Sequence, residues 1–558
     1  MSDADAQPHS IRNNNDFPLA SPPGSFYNCP NQDIRGGPAP APAREHHMLK
    51  WIAGGKVDHP MADTRGAREI VADLPVNDSS KALEEIVYWL DSLNHTEGFK
   101  LERRFENIDL LDAAAKNHQR KLSQDYLSVE RQQKYRENKL WKGVFGLWKN
   151  LGDGYLKCVA QYESAASSTT SIRKSLPVIV ARGLRALTLQ LKWTLLRYGL
   201  VEPRIWSEIA RLYQLAEAGG FADSMIAVYP GSHGQSSARR EFLKAMMLSA
   251  SSTDGLTPLR QEIAERAVAH FSDLFQIEET ATPACSYYFD LAEARSPARL
   301  IKGTASNGTR RYFGAGPGLV QLKQLLLTVV ESGYIPADVH LGGTYGKDVV
   351  IGVLKHLVQY WSDNPPARDS ERRKIATRIT VVPGFSEILG MLDPAHSNTL
   401  DFSQEQSAES WIVENVSDGG YGAIIPAEKS DWIKVGGLIG VQTETSIYWG
   451  IGLIRRVSSD QYQQRRVGIQ LLSKTALPIR LAFPASNSRR EAEGAILLST
   501  SPDRTGEVGV LMREGAFNPQ DSLDMTVNGK TYLLIPSRMV EGGEDFDWAK
   551  FKVMQRAE

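Results

Sequence analysis

The stretch Trp411-Ile-Val-Glu-Asn-Val-Ser-Asp-Gly-Gly-Tyr-Gly-Ala-Ile-Ile425 decides the fold of the second half of the chain. Apolar residues flank a polar turn with paired glycines, which is the pattern of two antiparallel strands joined by a hairpin. Asn415 and Ser417 alternate with Val416, so their side chains project to the same side of the strand. Gly420 lets a backbone or a ligand approach closely. The sequence therefore predicts a small polar shelf between two strands.

More segments of period two surround this hairpin and indicate further short strands. They are Ile379–Val382, Leu438–Val441, Tyr448–Ile454, Arg466–Leu472 and Ile479–Phe483. The set predicts a small closed antiparallel β-barrel over residues 367–485. Residues 486–558 are also β-rich and contain Val527-Asn-Gly-Lys530, a hairpin signal. They predict either an extension of the barrel or a separate small lobe.

A basic cluster precedes the first predicted barrel strand. Between Arg368 and Arg378 the chain carries five basic residues against Asp369 and Glu371, although its overall formal charge is only -1. The basic residues are Arg368, Arg372, Arg373, Lys374 and Arg378. Because the cluster runs directly into a strand, we expect its guanidinium groups at the barrel rim, where they form an anion site. The alternative is a solvated basic linker.

The arginine-rich segment and the Asn-x-Ser-x-x-Gly hairpin together resemble the PilZ domain, the bacterial receptor module for cyclic di-GMP. The resemblance covers roughly residues 368–485. In that family, arginines pair with the phosphates and stack on guanine, and the polar residues meet the base edge. The resemblance therefore implies cyclic di-GMP as the ligand. By position, it implies a ligand-binding set of Arg372, Arg373, Arg378, Asn415, Ser417 and Gly420.

One departure from the family pattern concerns the arginine spacing. The family's usual motif is Arg-x-x-x-Arg, whereas the step from Arg373 to Arg378 is one residue longer and Lys374 stands where an arginine would restore it. Two functions therefore stay open. The first is a cyclic di-GMP effector that couples ligand binding to a helical output domain. The second is an adaptor whose barrel has lost the ligand and only contacts other proteins.

The first half of the chain has helical periodicity. Leu83, Ile86, Val87 and Leu90 recur at helical spacing after a cluster of capping residues, and the pattern predicts a helical domain over residues 48–280. Residues 281–366 predict a mixed segment and a linker helix that ends before Asn364-Pro-Pro366. Residues 1–47 contain eight prolines and predict a disordered tail, with Met1 and Met48 both possible initiators. The fold class is thus multidomain α+β.

Composition narrows the functional classes. The balanced charge of this 558-residue chain argues against nucleic acid as a partner, and three widely spaced cysteines favour a reducing, cytoplasmic location. The resemblance to the PilZ domain implies a bacterial protein. Charges interrupt the most apolar stretch, Leu184–Leu200, so no membrane span is predicted. Gly342–Asp348 lacks the first glycine and the Ser or Thr of a phosphate-binding loop.

We therefore predict a non-enzymatic sensor with no catalytic residues, metal or cofactor. The helical domain is expected to contact a protein partner that the sequence does not name. An enzyme with a site near His340, His356 or Tyr287-Tyr288 is the third possibility, although such residues are more often packed or capped.

Overall fold

The computed structural model describes residues 57–555, apart from several internal segments. Those segments are 130–132, 165–171, 229–233, 294, 302–306, 367–372, 394–407, 426–431, 463, 483–492, 500 and 528–529. The predicted tail 1–47 and the candidate ligand residue Arg372 therefore lie outside the described residues. Residues 57–558 form one compact unit.

The N-terminal half is helical, as predicted. Asp78 accepts hydrogen bonds from the backbone amides of Ser80 and Lys81, which caps the second helix. Leu83, Ile86 and Leu90 are fully buried along one face of that helix. The helices are α1 (Thr64–Ala72), α2 (Ser79–His95), α3 (Leu101–Ser128), α4 (Lys134–Ser164), α5 (Leu176–Leu195), α6 (Pro203–Ala218), α7 (Ala238–Ala250) and α8 (Pro258–His270).

The mixed segment packs onto this helical body and is not a separate lobe. Phe313 and Leu357 belong to the same buried apolar cluster as Leu83. A two-stranded ribbon, β1 (Ile226–Ala227) and β2 (Gln235–Ser236), lies between α6 and α7. A four-stranded sheet follows in the order β3-β6-β4-β5, made of β3 (Gln276–Glu278), β4 (Tyr287–Asp290), β5 (Ala298–Arg299) and β6 (Arg310–Gly314). Two helices, α9 (Pro317–Ser332) and α10 (Lys347–Tyr360), complete the body.

The first β-barrel contains the hairpin and the arginine-bearing strand. It closes in the order β10-β11-β12-β9-β8-β7. Its strands are β7 (Arg373–Pro383), β8 (Glu409–Ser417), β9 (Gly420–Ile425), β10 (Leu438–Thr443), β11 (Gly450–Ser459) and β12 (Arg465–Ser473). Alternate residues such as Ile379, Val381, Trp411 and Val413 are buried in one apolar cluster, so the intervening side chains face outwards.

The C-terminal region is a second closed barrel with the order β13-β14-β15-β18-β17-β16. Its strands are β13 (Leu477–Ala482), β14 (Glu493–Leu497), β15 (Glu507–Arg513), β16 (Leu523–Val527), β17 (Lys530–Gly542) and β18 (Phe546–Gln555). Val527 pairs with Lys530, which confirms the predicted hairpin. The strand predicted at Ile479–Phe483 is β13, and it pairs with β14 and β16. The predicted boundary at residue 485 is therefore corrected, because β13 precedes it and already belongs to the second barrel.

A short helix that the sequence analysis did not identify, α11 (Phe385–Leu392), lies between the two barrels. The backbone amide of Phe385 donates to the carboxylate of Asp545 over 2.7 Å, so the second barrel caps this helix. Ile388 belongs to an apolar cluster that also contains Leu453 of the first barrel and Leu511 of the second. The barrels thus share a buried interface.

The helical body joins the first barrel through Tyr198, just after α5. This tyrosine is 7% exposed, belongs to the apolar cluster of the first barrel and donates from its hydroxyl to the carbonyl of Leu256 over 3.0 Å. None of the helices in the described ranges is long and apolar enough to cross a membrane.

Candidate ligand-binding site on the first barrel

An arginine-flanked apolar row crosses the outer face of the first barrel. Arg378 lies opposite Ile412, Ile412 opposite Ile424, and Ile424 opposite Arg466. Directly opposed residues of antiparallel strands share a face, and Ile412 is 47% exposed, so this row faces solvent. Adjacent strands lie about 4.8 Å apart, which places the two arginine backbones roughly 14 Å apart. Guanidinium groups therefore flank an apolar floor from both ends.

A second row, beside the first, has glycines at its centre. Asn415 lies opposite Gly422, Gly422 opposite Gly468, and Gly468 opposite Arg456. An added Cβ at Gly422 would lie 2.5 Å from the Asn415 Oδ1 atom, so the amide of Asn415 lies across this glycine. We refer to the outer surface of β8, β9 and β12 between these two rows as the trough. The surface is recessed at its centre because Gly422 and Gly468 carry no side chain.

The arginine strand enters beside this hairpin. Arg373 lies opposite Val416 and Arg378 opposite Ile412, with a bulge between Lys374 and Thr377. The five residue steps from Arg373 to Arg378 in β7 thus lie beside only four residue steps, from Val416 to Ile412, in β8. The bulge takes up the additional residue in the arginine spacing.

A further arginine pair has the family's usual spacing. Arg368 stands four residues before Arg372, which the sequence analysis overlooked when it compared only Arg373 with Arg378. Both residues lie outside the described part of the chain.

Ser417 and Gly420 form the tight turn between β8 and β9. The Ser417 hydroxyl donates to the Gly420 carbonyl over 3.4 Å. A Cβ added at Gly420 would lie 1.9 Å from the carbonyl oxygen of Ile469, so the close approach at this glycine is to the backbone of β12. Gly420 therefore has a structural role, and its role in ligand binding stays a prediction.

Four cationic side chains end the two rows, namely Arg378, Arg466, Arg456 and Lys374, which lies opposite Asn415. Two of them have partners. Arg466 lies 3.1 Å from the carboxylate of Glu414 and 3.5 Å from that of Asp460, and half of its side chain is exposed. Arg456 donates to the hydroxyl of Tyr360 over 2.8 Å. Arg373 lies opposite Val416, whose partner Tyr421 packs against the interior cluster of the barrel, so a place for Arg373 at the trough stays a prediction. Lys374 and Arg378 are exposed and form no ion pair with any other residue in the described ranges. These two cations are therefore available to an anionic ligand.

Register in the barrel identifies site residues that the sequence analysis missed. The sequence analysis did not assign Arg456, Arg466 and Gly468 to the site. The neighbouring Arg455 forms a bidentate pair with Glu541 of the second barrel, at 2.7 Å for both contacts. Only cross-strand pairing brings these residues together, and one sequence does not specify that pairing.

The residues weighed for an enzyme serve as packing contacts or lie apart from one another. His356 Nε2 lies 2.8 Å from the Ser251 carbonyl oxygen, and the Tyr287 hydroxyl donates to the Tyr360 carbonyl over 2.6 Å. His340 is exposed in a loop between α9 and α10. In the described segments, no group of three or more His, Cys, Asp and Glu side chains is placed to hold a metal ion.

A closed six-stranded barrel with an arginine-rich entry and an Asn-x-Ser-x-x-Gly hairpin defines the class as a PilZ domain. Residues 393–478 match the family model of the middle PilZ domain of the cyclic-di-GMP receptor FimW, and residues 65–283 match that of its N-terminal domain. The C-terminal part of the chain therefore contains a PilZ domain, as predicted. Both matching models are described as domains of a cyclic-di-GMP receptor.

The middle-domain match starts after the arginine-bearing strand. It contains Asn415, Ser417 and Gly420, whereas β7 and its arginines precede it. No curated protein matches the chain.

Proposed function

We propose that this protein is a cyclic di-GMP receptor that binds its ligand in the trough of the first barrel. The observation that carries the proposal is the pair of outer rows, in which arginines flank apolar and glycine positions. Planar guanidinium groups pair with phosphates in bidentate fashion and stack on purine faces, so they suit a ligand with two guanines and two linked phosphates. The receptor descriptions of both matching family models support the same ligand.

The proposed binding set keeps Arg372, Arg373, Arg378, Asn415, Ser417 and Gly420 and adds two residues from the barrel register. Arg378 and Arg373 would neutralise phosphate charge, and Asn415 and Ser417 would contact a guanine edge. Arg466 and Arg456 are added as cations at the far side of the trough, on the evidence of their cross-strand positions. Gly420 supports the set by holding the turn against β12.

The proposed output is a change in how the first barrel contacts the helical body. Arg456 borders the trough and is also bonded to Tyr360 at the end of α10. A ligand phosphate that competes for Arg456 would weaken this contact. By linkage, the contact would weaken ligand binding to the same extent. A protein partner that responds through the helical body, and a cytoplasmic location, stay predictions.

Calorimetric titration of the full chain with cyclic di-GMP, cyclic di-AMP and GTP tests the proposed ligand. We expect measurable heat with cyclic di-GMP and at least tenfold weaker binding of the other two, because the proposed shelf contacts guanine edges and the arginines span linked phosphates. Equal affinity for all three nucleotides, or no binding of any, would favour the ligand-independent adaptor.

A further inference from the structure

A row of exposed apolar side chains lies on α9, at the surface of the helical body. One face of this helix is buried, through Gly318, Leu322, Leu325 and Val329. The large apolar residues of the opposite face are between 53% and 69% exposed, and they are Val320, Leu327, Val330 and, two residues after the helix, Tyr334. Soluble proteins seldom leave such a continuous apolar stripe uncovered, so it marks a docking surface.

The same face carries three polar residues, which are Lys323, Gln324 and Glu331. We refer to these three and the four exposed apolar residues together as the α9 face. At 3.6 residues per turn, all of its members within the helix fall within about 60° of Leu327 around the helix axis. The α9 face is therefore one continuous surface with Leu327 at its centre.

Two opposite charges on the α9 face are unpaired among the described residues. Lys323 and Glu331 are exposed, and neither forms an ion pair with another residue in the described ranges. They stand eight residues apart, which is about 12 Å along the helix, so they do not pair with each other. A partner that covers this face therefore has to supply an anion opposite Lys323 and a cation opposite Glu331.

The spacing on the α9 face is self-complementary. Leu327 stands four residues from both Lys323 and Glu331, and seven residues from both Val320 and Tyr334. When two copies of α9 cross antiparallel at Leu327, Lys323 of each copy meets Glu331 of the other. The same arrangement brings each Val320 towards the Tyr334 of the other copy. Reciprocal contacts of this kind are what a two-fold axis requires, so a second copy of the same chain fits the charges of this face.

We propose that the α9 face binds a second copy of this chain as an antiparallel, two-fold symmetric helix pair centred on Leu327. Apolar burial supplies the attraction, and the two pairs of Lys323 with Glu331 set the direction of the helices. Stable complexes bury roughly 1,200–2,000 Å², and one helix from each subunit is at the small end of this range or below it, so the dimer is expected to be weak and reversible. It uses no residue of the trough and does not depend on the proposed ligand.

Sedimentation velocity of the full chain tests the interface. Between about 1 μM and about 200 μM protein, at low ionic strength, we expect a reversible change from monomer to dimer. Leu327→Asp places two carboxylates against each other at the axis and should raise the dissociation constant at least about tenfold. The matched control is Leu200→Asp, at an exposed leucine between α5 and α6, which should dimerise like the parent. Because both leucines are exposed, thermal melts should show that both variants stay folded.

Charge exchange tests the antiparallel pairing and remains informative if Leu327→Asp does not fold. Lys323→Glu and Glu331→Lys each place like charges opposite one another, so each should weaken the dimer at least about threefold. The double exchange restores opposite charges and should restore the parental affinity. A parent that stays monomeric over the whole range, as expected if another protein or another segment of the chain covers this face, overturns the proposal. It is also overturned if Leu327→Asp dimerises like the parent, or if the double variant dimerises no better than the single ones.

Discussion

Arg456 of the first barrel donates a hydrogen bond from Nη2 to the hydroxyl oxygen of Tyr360, the last residue of α10, over 2.8 Å. The same arginine lies opposite Gly468 at the border of the trough. One side chain thus belongs both to the proposed ligand site and to the contact between barrel and helical body. This double position gives the binding site a direct physical connection to the rest of the molecule.

Tyr360→Phe removes this contact and leaves the charge of Arg456 in place. We expect cyclic di-GMP to bind about two- to fivefold more tightly, because a bond worth roughly 0.5–1 kcal/mol no longer competes with the ligand for the arginine. Calorimetric titration measures the change. Tyr462→Phe, at an exposed turn residue of the same barrel, is the control, and weaker binding in Tyr360→Phe would contradict the proposed competition.

Gly422→Ala tests the placement of Asn415 in the trough. The new Cβ would lie within 2.5 Å of the Asn415 amide and would displace it. We expect cyclic di-GMP affinity to fall about three- to tenfold, since one hydrogen-bonding side chain leaves its position. Gly419→Ala adds the same methyl group in open space, one residue before β9 begins, and should bind like the parent. Equal affinity of Gly422→Ala and Gly419→Ala for cyclic di-GMP would show that Asn415 does not contact the ligand.

Gly420→Ala should act on folding before it acts on binding. Its Cβ would overlap the carbonyl oxygen of Ile469, which belongs to the backbone of β12 and has little freedom to move. We expect the melting temperature to fall by several degrees, measured against Gly419→Ala. An unchanged melting temperature together with lost ligand affinity would instead return Gly420 to a direct binding role.

The sequence and the structure agree most where side-chain periodicity is strong. The hairpin Trp411–Ile425, taken with the arginine-rich segment before it, predicted the PilZ barrel, and the helical spacing at Leu83 predicted the helical half. Closure of the second barrel and the position of α11 were not predicted, because both depend on long-range contacts such as that of Asp545 with Phe385. The Arg378 to Arg466 row could not be predicted either, since it depends on the register of four strands.

His356 should make the stability of the folded protein depend on pH. Burial is the main cause of its lowered pKa, and Arg456 acts in the same direction, whereas the Ser251 carbonyl and Asp254 oppose it. The folded state therefore binds fewer protons than the unfolded state below about pH 6.5, and stability is lost as the pH falls through that value.

Thermal melts of His356→Asn and the parent check this sign. When the pH is lowered from about 7.5 to about 5.5, the melting temperature of the parent should fall by more than that of His356→Asn. His340→Asn, at an exposed position, should behave like the parent. A parent protein that becomes more stable on acidification, or a His356→Asn variant with the same pH dependence as the parent, would contradict the argument.

The most direct test of the account is cyclic di-GMP titration of Arg378→Ala beside the parent. Arg480→Ala, which removes an exposed arginine from β13 of the second barrel, is the matched control. Arg378 is exposed at one end of the outer row, so its removal should leave the melting temperature unchanged. Loss of a charge-assisted bond to phosphate, worth roughly 1.5–3 kcal/mol, predicts affinity about ten- to a hundredfold lower in Arg378→Ala and unchanged in Arg480→Ala. A folded Arg378→Ala protein that binds cyclic di-GMP as tightly as the parent would contradict the placement of the ligand in the trough.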